Sequence, residues 1–128
     1  MELKDKDLLL QDLCARLPYK VKAQIPDEYG GYTSAIESID IDGFVTDFEG
    51  TQIEIECIKP YLFPLSSMTE EESNEFQQLD TECDKMPTFD YISIEHYRIF
   101  DWLNKNHFDY RGFIEKGLAI DCTNLNIY

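Results

Sequence analysis

Positive charge is scarce in this sequence. Lysine and arginine together number 11 against 26 aspartates and glutamates, a formal net charge of −15 at pH 7. A chain this acidic repels phosphate backbones and lacks the basic footprint of a nucleic-acid binder. It is equally unsuited to anionic membrane surfaces. No apolar run has the length of a membrane span, and the N-terminus lacks the basic and apolar regions of a signal peptide. The expected location is cytoplasmic. Histidine is nearly missing, with only His96 and His107. The four cysteines, Cys14, Cys57, Cys83 and Cys122, lie far apart, with no CxxC pair and no histidine at ligand spacing. That pattern argues against zinc. With no export signal they read as reduced thiols, mostly buried. No glycine-rich phosphate loop occurs. Asp40-Ile41-Asp42-Gly43 lacks the further ligands and closing glutamate of a calcium loop. Neither metal nor cofactor is expected.

What is present can build a core. Hydrophobic residues make up 43% of 128 residues, with eight tyrosines and eight phenylalanines. This excludes general disorder and fits a single domain spanning 1–128. Leu9, Leu10, Leu13 and Leu17 recur at helical spacing, so a first helix is predicted over 3–16, stopped by Pro18. KVKAQI alternates and reads as a strand with Val21, Ala23 and Ile25 inward. A second strand follows over 32–41, with Ala35 or Ile36, Ile39 and Ile41 as inner-face candidates. Asp42-Gly43 is a hairpin signal before a third strand over 44–48. QIEIECI predicts a fourth over 52–58, with Ile53, Ile55 and Cys57 inward and Glu54 and Glu56 outward. Asp40, Asp42, Asp47 and Glu49 add to an acidic exposed side. Lys59 to Leu65 carries two prolines and reads as an extended link leaving the sheet.

Ser67 and Glu70 fit a capping box before a second helix reaching about Glu82, with Met68, Phe76, Leu79 and Cys83 on its apolar side. Residues 84–91, with Pro87, read as a linker. Ser93 is a plausible cap for a third helix to about Asn106, with Ile99 and Leu103 inward, Phe100 at the edge and His96 beside them. At its end a protonated His107 would be mildly favoured. Phe108 to Gly112 predicts an aromatic turn, Gly117 a left-handed cap and Leu118 to Ile120 a last short strand. The tail from Thr123 is expected to fray or add an edge strand. The expected architecture is α+β. A three- to four-stranded antiparallel meander carries helices on one face, in the order helix, strands, helix, helix, short strand.

Chemistry is sparse. A catalytic thiol needs a base or positive surroundings; Arg16, near the end of the first helix, lies two residues from Cys14, a helical spacing that does not bring the two together. Three stretches do carry a resemblance: KDLLLQDLCARLPYKVKAQ, IKPYLFPLSSMTEEE and DWLNKNHFDYRGFIEKGLAI, under half of the chain. They resemble a family of short uncharacterised proteins from gut bacteria of the Bacteroides group and their phages and mobile elements. The resemblance implies an accessory factor rather than a housekeeping enzyme. Small acidic phage proteins often act by binding, and some imitate nucleic-acid phosphates to block a nuclease such as a CRISPR effector.

The expected function is therefore non-enzymatic binding of a basic, nucleic-acid-handling protein. Glu54, Glu56, Glu75, Asp80 and Glu82 are the candidate contact residues. The helix dipole accounts for Glu70, Glu71 and Glu72 but not for Glu75, Asp80 or Glu82. Solubility alone is the competing explanation of the acidity. A structural or assembly protein, for example a homodimer, is the alternative function, and a cysteine-dependent enzyme a distant third.

Overall fold

The computed structural model describes the backbone of residues 2–84 and 89–128, and the side chains of residues 2–81 and 97–128. The expectations for the side chains of Glu82, Cys83 and His96 lie outside the described residues.

Helix α1, Leu3–Arg16, forms where the leucine stripe predicts it, and a 3-10 turn, Leu17–Tyr19, carries the chain past Pro18. Strands β1 (Lys22–Ile25), β2 (Tyr32–Ile39), β3 (Phe44–Asp47) and β4 (Gln52–Glu54) are successive antiparallel neighbours. This is the expected meander, but it is only part of the sheet. The full sheet has six strands in the order β4-β3-β2-β1-β5-β6.

Strand β5, Lys59–Leu62, occupies the segment predicted to leave the sheet. It pairs antiparallel with β1, with Pro60 opposite Ala23. Strand β6, Ile120–Asp121, lies parallel to β5 on its other side, so the sheet is mixed. Parallel neighbours need a long crossover, and the two remaining helices supply it. The β1–β5 ladder is short, and a side chain extends it. The Lys22 amide donates to the Tyr128 hydroxyl at 2.9 Å, and that hydroxyl donates to the Tyr61 carbonyl at 2.9 Å. The tail is thus docked and neither frays nor adds a strand.

Alternation fails where the backbone departs from a plain strand. Pairing of β2 with β3 shifts between Ile36 and Ser38. An extra residue there reverses the inward phase. Ile36 and, past the shift, Ile39 both pack on the core, while Ile41 lies beyond the end of β2, in the turn to β3, and is 93% exposed rather than inward. After Glu54 the chain tightens into a 3-10 turn, Ile55–Cys57. Ile55 and Ile58 stay buried, while Cys57 faces solvent. Asp47, predicted on the wet side, is only 1% exposed. The amides of Glu49 and Thr51 both donate to its Oδ1 at 2.9 Å, and the Tyr32 hydroxyl donates to its Oδ2. Burial alone would raise its pKa. These bonds outweigh burial and hold it below the usual carboxylate range.

Helix α2, Glu70–Asp84, begins with a capping box two residues later than predicted. The Thr69 amide donates to Glu72 at 2.9 Å, and the Glu72 amide donates to Thr69 at 3.2 Å. Ser67 instead lies in a 3-10 turn and donates to the Pro64 carbonyl at 2.7 Å. Helix α3, Phe89–Lys105, starts well before Ser93, inside the segment read as a linker.

Among the described residues two apolar clusters result. The first joins Leu9 and Leu13 of α1 to Val21, Ala23, Ile25, Ile53, Ile55, Phe113 and other sheet-side residues. The second gathers Ile99, Leu103 and Phe108, with Phe63, Phe76, Leu79 and Trp102 against them. Trp102 stacks on Phe108 at 5.6 Å between ring centres. Helix α1 therefore covers the sheet, while α2 packs chiefly on α3, which in turn meets α1. Helix α1 packs into the sheet-side cluster, and α2 and α3 belong to the second cluster.

Candidate functional site

One buried acid organises the junction of α1, α3 and the aromatic turn. Asp12 and Arg16 stand four residues apart on α1, a spacing that stacks them on one face, and both are 0% exposed. Arg16 Nε donates to Asp12 Oδ2 at 2.8 Å, and Arg111 Nε donates to Oδ1 at 3.1 Å. Arg16 Nη2 donates to the Phe108 carbonyl at 2.6 Å, while its Nη1 is buried without a partner. Both guanidinium groups lie 5.2 Å from the Tyr110 ring centre. The Tyr110 hydroxyl donates to Asn104 Oδ1 at 2.9 Å. Beside it, Asp109 accepts from the amides of Phe113 and Ile114, each at 2.9 Å, and so fixes the turn. Sequence reasoning placed Arg16 at a helix end and missed this cluster. The acid–arginine spacing at i, i+4 was the available signal.

The cluster forms one side of a cleft of about 770 Å³ lined by Ala15, Tyr97, Phe100, Asp101, Asn104, Tyr110 and Arg111. That volume falls within the range of ligand sites. Phe100 and Tyr110 pack with ring centres 5.2 Å apart. The Tyr19 hydroxyl donates to Asp101 Oδ1 at 2.9 Å.

The acids singled out from the sequence fall into two groups. Glu54 is exposed on β4, and Glu56 follows it in the 3-10 turn. Lys6 on α1 pairs with Glu56 at 2.9 Å, and this hydrogen bond is the main reason its pKa is lowered. Glu75 and Asp80 are exposed on α2, where Trp102 Nε1 donates to Glu75 Oε2 at 3.0 Å. Strand β4 is one edge of the sheet, whereas α2 belongs to the cluster around Phe63, just beyond β5. The two groups therefore occupy separate faces.

Thiol chemistry finds little help. Cys14 and Cys57 are exposed and Cys122 is buried, so the expectation of mostly buried thiols fails. Desolvation, then the charges of Glu54, Glu28 and Glu56, raises the Cys57 pKa. Burial pushes Cys122 up to about 11. Both shifts disfavour the thiolate. Among the described residues no group of three or more His, Cys, Asp and Glu side chains is placed to hold a metal ion. Among the same residues no helix is long and apolar enough to cross a membrane.

His107 is the opposite of the helix-end cation expected. It has left the helix at φ 63°, and its ring stacks on Tyr128 with centres 3.6 Å apart. Desolvation, then the charges of Arg16 and Lys22, lowers its pKa to about 4. The unfolded chain therefore binds the proton first as pH falls. The resulting stability is complete above pH 6.5 and drains away between 6.5 and about 4. After solvent screening it amounts to about 1–2 kcal/mol. Asparagine tolerates positive φ, so His107→Asn is expected to fold and to lose this slope. Urea midpoints at pH 7 and 4.5 check this. An unchanged difference between the two pH values would place the acid sensitivity elsewhere.

No family model matches the chain, and neither the curated proteins nor the solved structures yield a significant match.

Proposed function

We propose that this protein is a non-enzymatic binding protein whose acidic surface engages a basic partner, in the manner of a phage or mobile-element accessory factor. The partner would be a nucleic-acid-handling protein such as a nuclease, whose basic groove the carboxylates fill in place of phosphates.

The observation that carries this reading is helix α2. Across Glu70–Asp84 it holds seven acids and no lysine or arginine. Glu70, Glu71 and Glu72 suit the positive end of the helix dipole, and Glu72 also caps. Asp80, Glu82 and Asp84 fall in the other half, where the dipole opposes them. No lysine sits at i±4 within the helix to offset them. Crowding like charges destabilises a helix, and a basic partner would relieve that repulsion. Exposed Glu54 and the Lys6-paired Glu56 supply a second, smaller acidic face.

The test is capture of a basic protein from a host lysate at low salt, followed by measurement with the purified pair. A variant with Glu70, Glu71, Glu75 and Glu82 changed to glutamine and Asp80 to asparagine keeps size and removes charge. It is expected to bind at least tenfold more weakly, chiefly through slower association. A separate Glu54→Gln, Glu56→Gln variant reports on the other face. Unchanged affinity in both variants would leave the acidity as a solubility feature.

Self-association is the second reading. Ile41, Phe44 and Phe48 are exposed at the hairpins flanking β3, beside the open edge of β4. Unpaired edges template pairing with another chain. Salt-resistant dimerisation in sedimentation would favour this reading.

A further inference from the structure

We propose that the cleft between α3 and the aromatic turn receives a cationic side chain, arginine or lysine, of a basic polypeptide. The proposal rests on the reading of the protein as a binder of basic partners, and it gives one side chain of that partner a seat. Tyr97, Phe100 and Asp101 stand at i, i+3 and i+4 on α3, so they form one face. Tyr97 is 75% exposed and Phe100 46% exposed, and both line the cleft. Aromatic faces attract cations, and their flat surfaces also cover the apolar stem of a long side chain. Asp101 lies one residue beyond Phe100 and supplies the opposite charge, its carboxylate steadied by the Tyr19 hydroxyl at 2.9 Å. Tyr110 already shows the affinity of such rings for guanidinium, with Arg16 and Arg111 each 5.2 Å from its centre.

Arg111 also lines the cleft, and an unopposed guanidinium there would repel a cation. It is not unopposed. Its Nε is bound by Asp12 at 3.1 Å, and its charge lies over Tyr110. The charged residues lining the cleft are Asp101 and Arg111, and with Arg111 held by Asp12 the carboxylate of Asp101 is the charge the cleft offers a ligand. The net charge of −15 adds to the same preference. Long-range steering and the local field therefore both favour a cation over an anion.

The experiment titrates the protein with three short glycine–serine peptides. One carries a single central arginine, the second citrulline at that position and the third glutamate. Two-dimensional NMR follows the ring resonances of Tyr97 and Phe100 and the Asp101 amide. The arginine peptide is expected to shift all three, and citrulline, equal in shape but neutral, to bind about tenfold more weakly. Tyr97→Ala and Asp101→Asn are each expected to weaken arginine binding several-fold with an unchanged melting temperature, since both side chains are exposed. Equal binding of citrulline, or tighter binding of the glutamate peptide, would overturn the proposal.

The two readings fail separately. If a captured basic partner binds Tyr97→Ala as tightly as wild type, the cleft is rejected and the acidic surface stands. If the arginine peptide binds the cleft but neutralising α2 leaves partner affinity unchanged, the acidic surface is rejected and the cleft stands.

Discussion

Asp12→Ala is expected to destabilise the fold by about 3–5 kcal/mol, the range for breaking a buried ion pair by removing one partner. Asp12 is 0% exposed and takes a hydrogen bond from a different arginine on each oxygen. Its loss strands the Arg16 guanidinium, which is itself fully buried and already has one nitrogen without a partner. Arg111, partly exposed, can turn to water, so the main penalty falls on Arg16. The paired replacement Asp12→Leu with Arg16→Met removes both charges and fills similar volume. It is expected to recover most of the loss, because apolar packing often matches a buried ion pair in stability. Urea denaturation of the single and double variants measures both effects. A single variant within about 1 kcal/mol of wild type would show that solvent reaches Arg16.

Leu13→Ala is expected to cost roughly 2–5 kcal/mol, the usual range for truncating a well-packed aliphatic side chain. Leu13 is 0% exposed in the cluster that joins α1 to the sheet, so a cavity there has walls on both sides. Ile55→Ala belongs to the same range, since Ile55 is also 0% exposed in that cluster. Denaturant midpoints that stay at the wild-type value would contradict the packing described.

Ile55 also shows how far the sequence can be read. Its burial was legible from alternation, yet the residue sits in a 3-10 turn rather than a strand. The turn keeps Ile55 inward but sends Cys57 out, because alternation holds only while the backbone stays extended. Ile41 shows the same limit: β2 ends at Ile39, so Ile41 falls in the turn, where alternation no longer assigns a face. Helix α1 and the four-strand meander were legible because their periodicity is strong and local.

Strand β5 was hidden by its proline. Proline removes a ladder donor and usually marks an edge or a break. Here the ladder beside Pro60 is short, and the Tyr128 hydroxyl bridges the next backbone groups. That bridge joins residues 61 and 128, a separation no local pattern reports. The start of α3 was misplaced because Ser93 offered a good cap that the chain does not use. The ion cluster depends on Arg111 reaching Asp12 across most of the sequence, so only half of it, the i, i+4 pair, was readable. The cleft shares that limit, since Ala15 and Tyr110 meet α3 only in the fold. The exposed acids of α2 were legible from helical spacing. Their separation from Glu54 and Glu56 needed the order of the sheet.

The central claim is that the acidic surface is there for a basic partner. The most direct measurement is the association rate constant of the purified partner as ionic strength rises from about 0.01 to 0.5 M. Wild type is expected to lose association rate steeply, as screening shortens the reach of its field from about 30 Å to a few ångströms. The α2-neutralised variant is expected to associate more slowly at low salt and to lose far less as salt rises. Identical salt slopes for the two proteins would contradict the claim.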